Sequence, residues 1–134
     1  MPLRRTLPFV LAVAAIVMPG SARAQQSLVG RWSADQRCAP QAPQIVFRSG
    51  SWEMWERGQR IFSGGVRYQH EGNQTAVQVQ SIGRDPPPQP GAPELGDVAT
   101  FRREGNRLFG VAVTRNGERR AALPGAPPFY LCRS

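Results

Sequence analysis

His70 is the one histidine of this chain, and Glu71 follows it directly. An imidazole beside a carboxylate suits general acid–base work near neutral pH, so any enzymatic reading has to be centred on this pair. The other requirements for such chemistry are missing. There is no Gly-x-Ser-x-Gly turn to expose a nucleophilic serine, and no spacing that draws a serine and a further carboxylate toward His70. Glu53 and Glu56 lie close in sequence, but an odd separation within a strand sends them to opposite faces and defeats a glycosidase pairing. Metal and cofactor patterns are absent as well: no Cys-x-x-Cys, no His-Glu-x-x-His, no loop dense in Asp and Asn, and no glycine-rich phosphate cradle ahead of a helix. No catalytic residue, cofactor or metal is assigned. The expectation is a protein that binds rather than transforms.

Cys38 and Cys132 are the two cysteines, one near each end of the expected mature chain. Residues 1–24 read as a secretory leader. Arg4 and Arg5 supply the positive start, Leu7 to Val17 is apolar except for Pro8, Pro19-Gly20 breaks the helix, and Ala22-Arg23-Ala24 presents small residues for cleavage before Gln25. The apolar run is far short of the roughly 20 residues that a membrane span needs. Residues 25–134 are then expected as one domain in the periplasm or outside the cell. In such an oxidising compartment the two cysteines are read as a Cys38–Cys132 disulfide.

All 17 basic residues are arginine, against nine acidic ones, and three of the arginines belong to the leader. An exported chain of this charge is expected to meet a protein or an anionic envelope component rather than nucleic acid.

The elements that would position any site are strands. Short apolar–polar alternations are punctuated by turn residues, and no window carries a sustained helical repeat. Strands are expected at the Gly30-Arg31-Trp32 region, Gln44–Arg48, Ser51–Arg57, Arg60–His70, Gln74–Ile82, Val98–Arg103, Arg107–Arg115, Glu118–Leu123 and Phe129–Cys132. Asn116-Gly117 and two Glu-Gly-Asn turns, at 71–73 and 104–106, mark hairpins. Gly64-Gly65 marks a bulge or bend. Five prolines between Pro86 and Pro93 forbid an interior strand, so residues 84–96 are expected as a long, semi-rigid loop. The sum is an all-β protein: a small antiparallel meander barrel of eight or nine strands, with first and last strands adjacent and tied by one disulfide.

Alternation in the Ser51–Arg57 strand turns Trp52 and Met54 to one face and Glu53 and Trp55 to the other. Trp52, Tyr68, Phe101 and Phe109 are expected to fill the interior. Trp55, with Arg57 and Arg60 at the next turn, is the candidate binding surface, because exposed tryptophan and arginine are common contact residues. Arginines also gather at the turns near Arg102, Arg103 and Arg107, and near Arg115, Arg119 and Arg120.

Gly30-Arg31-Trp32 resembles the Gly-x-Trp that opens lipocalin-like barrels. The resemblance implies that Trp32 closes the barrel bottom and that an arginine near the chain end, here Arg133, packs over it. In size, export and disulfide use the chain also looks like the small periplasmic barrels that inhibit proteases or lysozyme. In the protease inhibitors of that kind the second cysteine comes much earlier than Cys132, so their inhibitory residues have no counterpart here. Three functions follow as expectations: a non-enzymatic binding or inhibitor-type barrel, a lipocalin-like carrier of a small apolar ligand, and an enzyme centred on His70.

Overall fold

The computed structural model describes residues 27–133. The expected leader and its cleavage point lie outside the described residues. Nine strands follow in order: β1 (Gly30–Ser33), β2 (Gln44–Phe47), β3 (Ser51–Glu56), β4 (Gln59–Glu71), β5 (Gln74–Ile82), β6 (Val98–Glu104), β7 (Arg107–Arg115), β8 (Glu118–Ala121) and β9 (Phe129–Cys132). All pairings are antiparallel. β1 to β7 and β9 form a closed eight-strand barrel, with β8 as an extra strand.

The path departs from a plain meander at one place. β8 and β9 share a single edge of β7: β8 pairs with Ala112–Arg115, and β9 pairs with Arg107 and Leu108. After Ala122 donates to the Val111 carbonyl at 2.8 Å, the chain leaves β7 and rejoins it only at Phe129. The excursion holds Pro124, Pro127 and Pro128, which have no N–H to offer a ladder. Only β9 goes on to pair with β1, through Arg31–Cys132, Trp32–Leu131 and Ser33–Tyr130, so β8 keeps a free edge.

The two barrel ends therefore differ. The lower end carries the Glu71–Asn73 and Glu104–Asn106 turns and is shut. Trp32 is fully buried there, its indole N–H donating to the Leu28 carbonyl at 2.8 Å. The Arg103 guanidinium lies 5.1 Å from the Trp32 ring centre and donates to the carbonyls of Ser27 and Gly105. Trp32 is buried at this end, and the arginine over its ring is Arg103 of β6, not Arg133. Register decides this: Arg103 sits opposite the inward Leu108, whereas Arg133 follows the disulfide and is exposed.

Phe47, Trp52, Phe62, Val66, Val77, Val79, Ala99 and Leu108 fill the interior around Trp32. Phe47 meets Tyr68 and Phe101 edge-on at 6.2 and 5.4 Å, arrangements that suit the aromatic quadrupole. Phe109 does not join them. Leu108 takes the inward position, and Phe109 turns outward beneath the Arg102 guanidinium, 4.6 Å from its ring centre. The Gly64-Gly65 irregularity is observed as a register shift between Gly65 and Val66. A Cβ on Gly64 would come within 2.6 Å of the Ser81 carbonyl, so only glycine permits this approach of β4 to β5.

Cys38 and Cys132 are joined, with Cα atoms 5.9 Å apart. Cys38 belongs not to a strand but to the loop between β1 and β2. That loop is held by its own bonds, among them Asp35 Oδ2 accepting from the Ala39 N–H, and it lies against the outer face near Gln44, whose amide donates to the Ala39 carbonyl. The staple fixes β9, whose pairing with β7 is the shortest in the barrel. Cross-links closing loops of this length are worth about 4–5 kcal/mol in the chain-entropy account. Replacing both cysteines by serine should lower unfolding free energy in urea by about 3–5 kcal/mol; a loss under about 1 kcal/mol would show that β9 is held without the bond.

Candidate functional site

The upper end carries the Arg57-Gly58 and Asn116-Gly117 turns and the proline-rich loop, and it stays open. Because β8 has no partner beyond β7, the inward residue Val113 is 44% exposed although it faces the barrel axis opposite Ala99. A cavity of about 290 Å³ lies here, lined by Trp52, Met54, Ala99, Phe101, Val113, the loop residues Gly91 and Pro93, and the charged pair Asp97 and Arg115. A second hollow of about 400 Å³ shares Ala99, Phe101 and Val113 with it and runs past Gly110 toward Ala121 and Leu123. Gly110 helps to make this room, since a Cβ there would meet nothing within 4 Å. The walls are mainly apolar, with Asp97 and Arg115 in the first hollow and Thr100 and Arg120 in the second, and each hollow is near the lower end of the roughly 300–1,000 Å³ usual for small-molecule sites.

The loop that covers this mouth is anchored by charge. Asp97, 3% exposed, accepts from Arg115 Nε on Oδ1 at 2.9 Å, and from Arg115 Nη2 and the Glu94 N–H on Oδ2 at 2.7 and 2.9 Å. Glu94 adds a second carboxylate 3.1 Å from Arg115. The hydrogen bonds from Arg115 hold the Asp97 carboxyl below the usual carboxylate range against the opposing effect of burial. The same contacts raise Arg115 further above its ordinary range, so it stays charged. At the other end of the loop Arg60 donates to the Asp85 carbonyl at 2.9 Å, and between these anchors Ala92 packs on the core.

The sequence-predicted surface is partly spent on the fold. Trp55 and Arg60 face each other across β3 and β4, and both turn to Glu53: the Trp55 N–H at 3.1 Å and the Arg60 guanidinium at 3.5 Å. Arg31 lies 5.7 Å from the Trp55 ring centre and donates to Gln44 at 2.6 Å. Arg57 is exposed, at a turn position with φ of 54°. A shallow hollow of about 320 Å³ opens beside them between Arg31, Pro40, Gln44, Trp55 and Gly58. His70 stands apart from every cavity described here and bonds Thr75 Oγ1 through Nδ1 at 2.9 Å. Among the described residues no three His, Cys, Asp or Glu side chains gather closely enough to hold a metal.

Asp97 and Arg115 escaped sequence reasoning because they are 18 positions apart and carry no motif. Their one advance signal was that an aspartate directly precedes a strand where a proline-rich loop ends.

Comparison of the chain with protein-family models, with curated proteins and with solved structures finds no match.

A carboxylate held ionised by its partner lends its support above its ordinary value near 3.8 and loses it as pH falls through its lowered value. Hydrogen exchange of the 84–96 amides should therefore accelerate, relative to the barrel strands, as pH drops below about 4 once intrinsic rates are corrected, and Asp97→Asn should show that acceleration already at neutral pH. Equal protection in the variant and the parent would remove the anchor role of this pair.

Proposed function

We propose that this chain is an exported binding barrel that receives a small, largely apolar ligand in its open mouth, beneath the proline-rich loop. The observation that carries the reading is the cavity of about 290 Å³ walled by Trp52, Met54, Ala99, Phe101 and Val113. An interior filled by side chains alone would leave no such space. Here the divergence of β8 leaves an inward valine exposed, and the loop lies over the gap. Burial of apolar ligand surface against these walls supplies the affinity, at roughly 25 cal/mol per Å² before the costs of binding.

A second reading keeps a protein or an anionic envelope component as partner, at the outer hollow beside Trp55 and Arg57. It is favoured by the exposure of Arg57 and by the hollow between Arg31, Pro40 and Gly58. It ranks second because Glu53 and Asp85 already occupy Trp55 and Arg60.

Val113→Trp places a bulky ring in the mouth at a position with room for it. The mature chain should bind the uncharged dye N-phenyl-1-naphthylamine saturably, and the variant should lose about tenfold or more in affinity while its unfolding midpoint stays close to the parent's. Unchanged dye binding in Val113→Trp would move the ligand site elsewhere, and Arg57→Ala would then be the variant expected to lose it.

A further inference from the structure

The outer hollow beside Trp55 has a chemistry of its own, and the inference drawn from it rests on the second reading, in which this hollow is a docking place. It is lined by Arg31, Cys38, Pro40, Gln44, Trp55 and Gly58. Most of that wall is apolar: an indole, a proline ring and the disulfide. Arg31 carries its one formal charge, and no carboxylate lines it. Neutral groups hold this guanidinium in place. Gln44, 6% exposed, accepts from Arg31 Nη1 through Oε1 at 2.6 Å, and its own amide donates to the Ala39 carbonyl in the loop that the disulfide ties down. The Trp55 ring supports the guanidinium from one side. Arg48, Arg60, Arg102, Arg115 and Arg120 pair with carboxylates instead. Among the described residues Arg31 makes no ion pair, and its Nε–Nη2 edge has no partner.

The surroundings add charge of the same sign. Arg37 precedes Cys38, Arg133 follows Cys132, and Arg57 precedes Gly58. The disulfide sets the Cα atoms of Cys38 and Cys132 5.9 Å apart, so Arg37 and Arg133 flank one corner. All three arginines are exposed, and none pairs with a carboxylate among the described residues. The acidic groups of the same segments are engaged or turned away. Glu53 accepts from Trp55 and meets Arg48 and Arg60, Asp35 accepts from the Ala39 N–H, and Glu56 alternates to the other side of β3 from Trp55. A hollow in a positive field draws anions. A free guanidinium edge matches the two oxygens of a carboxylate in a bidentate fork. The mouth of the barrel makes no such offer, because Arg115 is committed to Asp97 and Glu94.

We infer that the outer hollow takes a small organic carboxylate, whose charged group sits on the Nε–Nη2 edge of Arg31 and whose flat, apolar ring lies between Trp55 and Pro40. Gln44 and the disulfide-tied loop position the guanidinium before the ligand arrives, so little ordering is left to binding.

Benzoate and benzamide share a ring and a shape and differ in charge. Each is titrated at low ionic strength into the ¹⁵N-labelled mature chain while the three indole N–H resonances are followed. Those of Trp55 and Trp52 are identified by their absence in Trp55→Phe and Trp52→Phe. Benzoate should move the Trp55 resonance and should bind about fivefold more tightly than benzamide. Arg31→Gln removes the charge and should erase that preference, leaving benzamide binding within about twofold. Equal binding of the two compounds at Trp55, or a preference that survives in Arg31→Gln, overturns the carboxylate inference while the hollow stands as a docking place. Shifts at Trp52 in place of Trp55 put the ring in the cup and overturn it as well. If neither compound moves Trp55, the reading of the hollow as a docking place falls and the inference goes with it. The comparison on the parent chain needs no variant, so a folding defect in Arg31→Gln does not blunt it.

Discussion

One edge of β7 has to serve two strands, and most of this molecule follows from how it is divided. β9 takes two residues of that edge and carries the ladder on to β1. β8 takes four and carries it no further. Where β9 pairs, the wall is continuous, and the interior below it is packed to the level of the buried Trp32. Where β8 pairs, the wall ends in a free edge, and an inward valine meets solvent. A closed barrel of eight strands is just wide enough for side chains to fill it or for one small ligand to enter. This chain does the first in its lower half and leaves a hollow in its upper half, where the ligand is proposed to enter.

The remaining features compensate for that division. A closure of two residue pairs is a weak seam, and the disulfide ties its strand to the loop that wraps the opposite side of β1. An open apolar mouth is an aggregation hazard, and the proline-rich loop covers part of it with Ala92 and Pro93 while contributing no strand edge. The free edge of β8 is short and reads Glu-Arg-Arg-Ala, a charged composition that discourages pairing with other chains. The loop is fastened at one end by Asp97 on Arg115 and at the other by Arg60 on Asp85. Two of the arginines that look like free surface charge in the sequence are thus loop anchors.

Strand identities were largely legible, because alternation and turn chemistry are local. Val77 and Val79 between glutamines, Asn116-Gly117 and the Glu-Gly-Asn turns mark β5 and the β7–β8 hairpin with little ambiguity. The adjacency of first and last strands followed from the two cysteines. Illegible was whatever depended on register across the barrel. Phe109 looked inward until the irregularity between Thr100 and Phe101 fixed Leu108 as the inward residue. The arginine over Trp32 was sought at the chain terminus, although β6 brings Arg103 there. The cup itself had no signature, since it arises from the failure of β8 to reach β1, and that failure follows from Pro124, Pro127 and Pro128, seven to eleven residues beyond Gly117. Trp52 was recognised as interior, but that its N–H lacks a partner is a fact of packing.

The account turns on a barrel that is solid below and hollow above, and xenon under pressure examines that division directly. Xenon occupies apolar cavities without needing polar partners. A crystal of the mature chain held under xenon is predicted to show density in the mouth, in contact with Met54, Phe101 and Val113, and none between Trp32, Phe47 and Leu108. An empty mouth, or xenon lodged in the lower half, would contradict it.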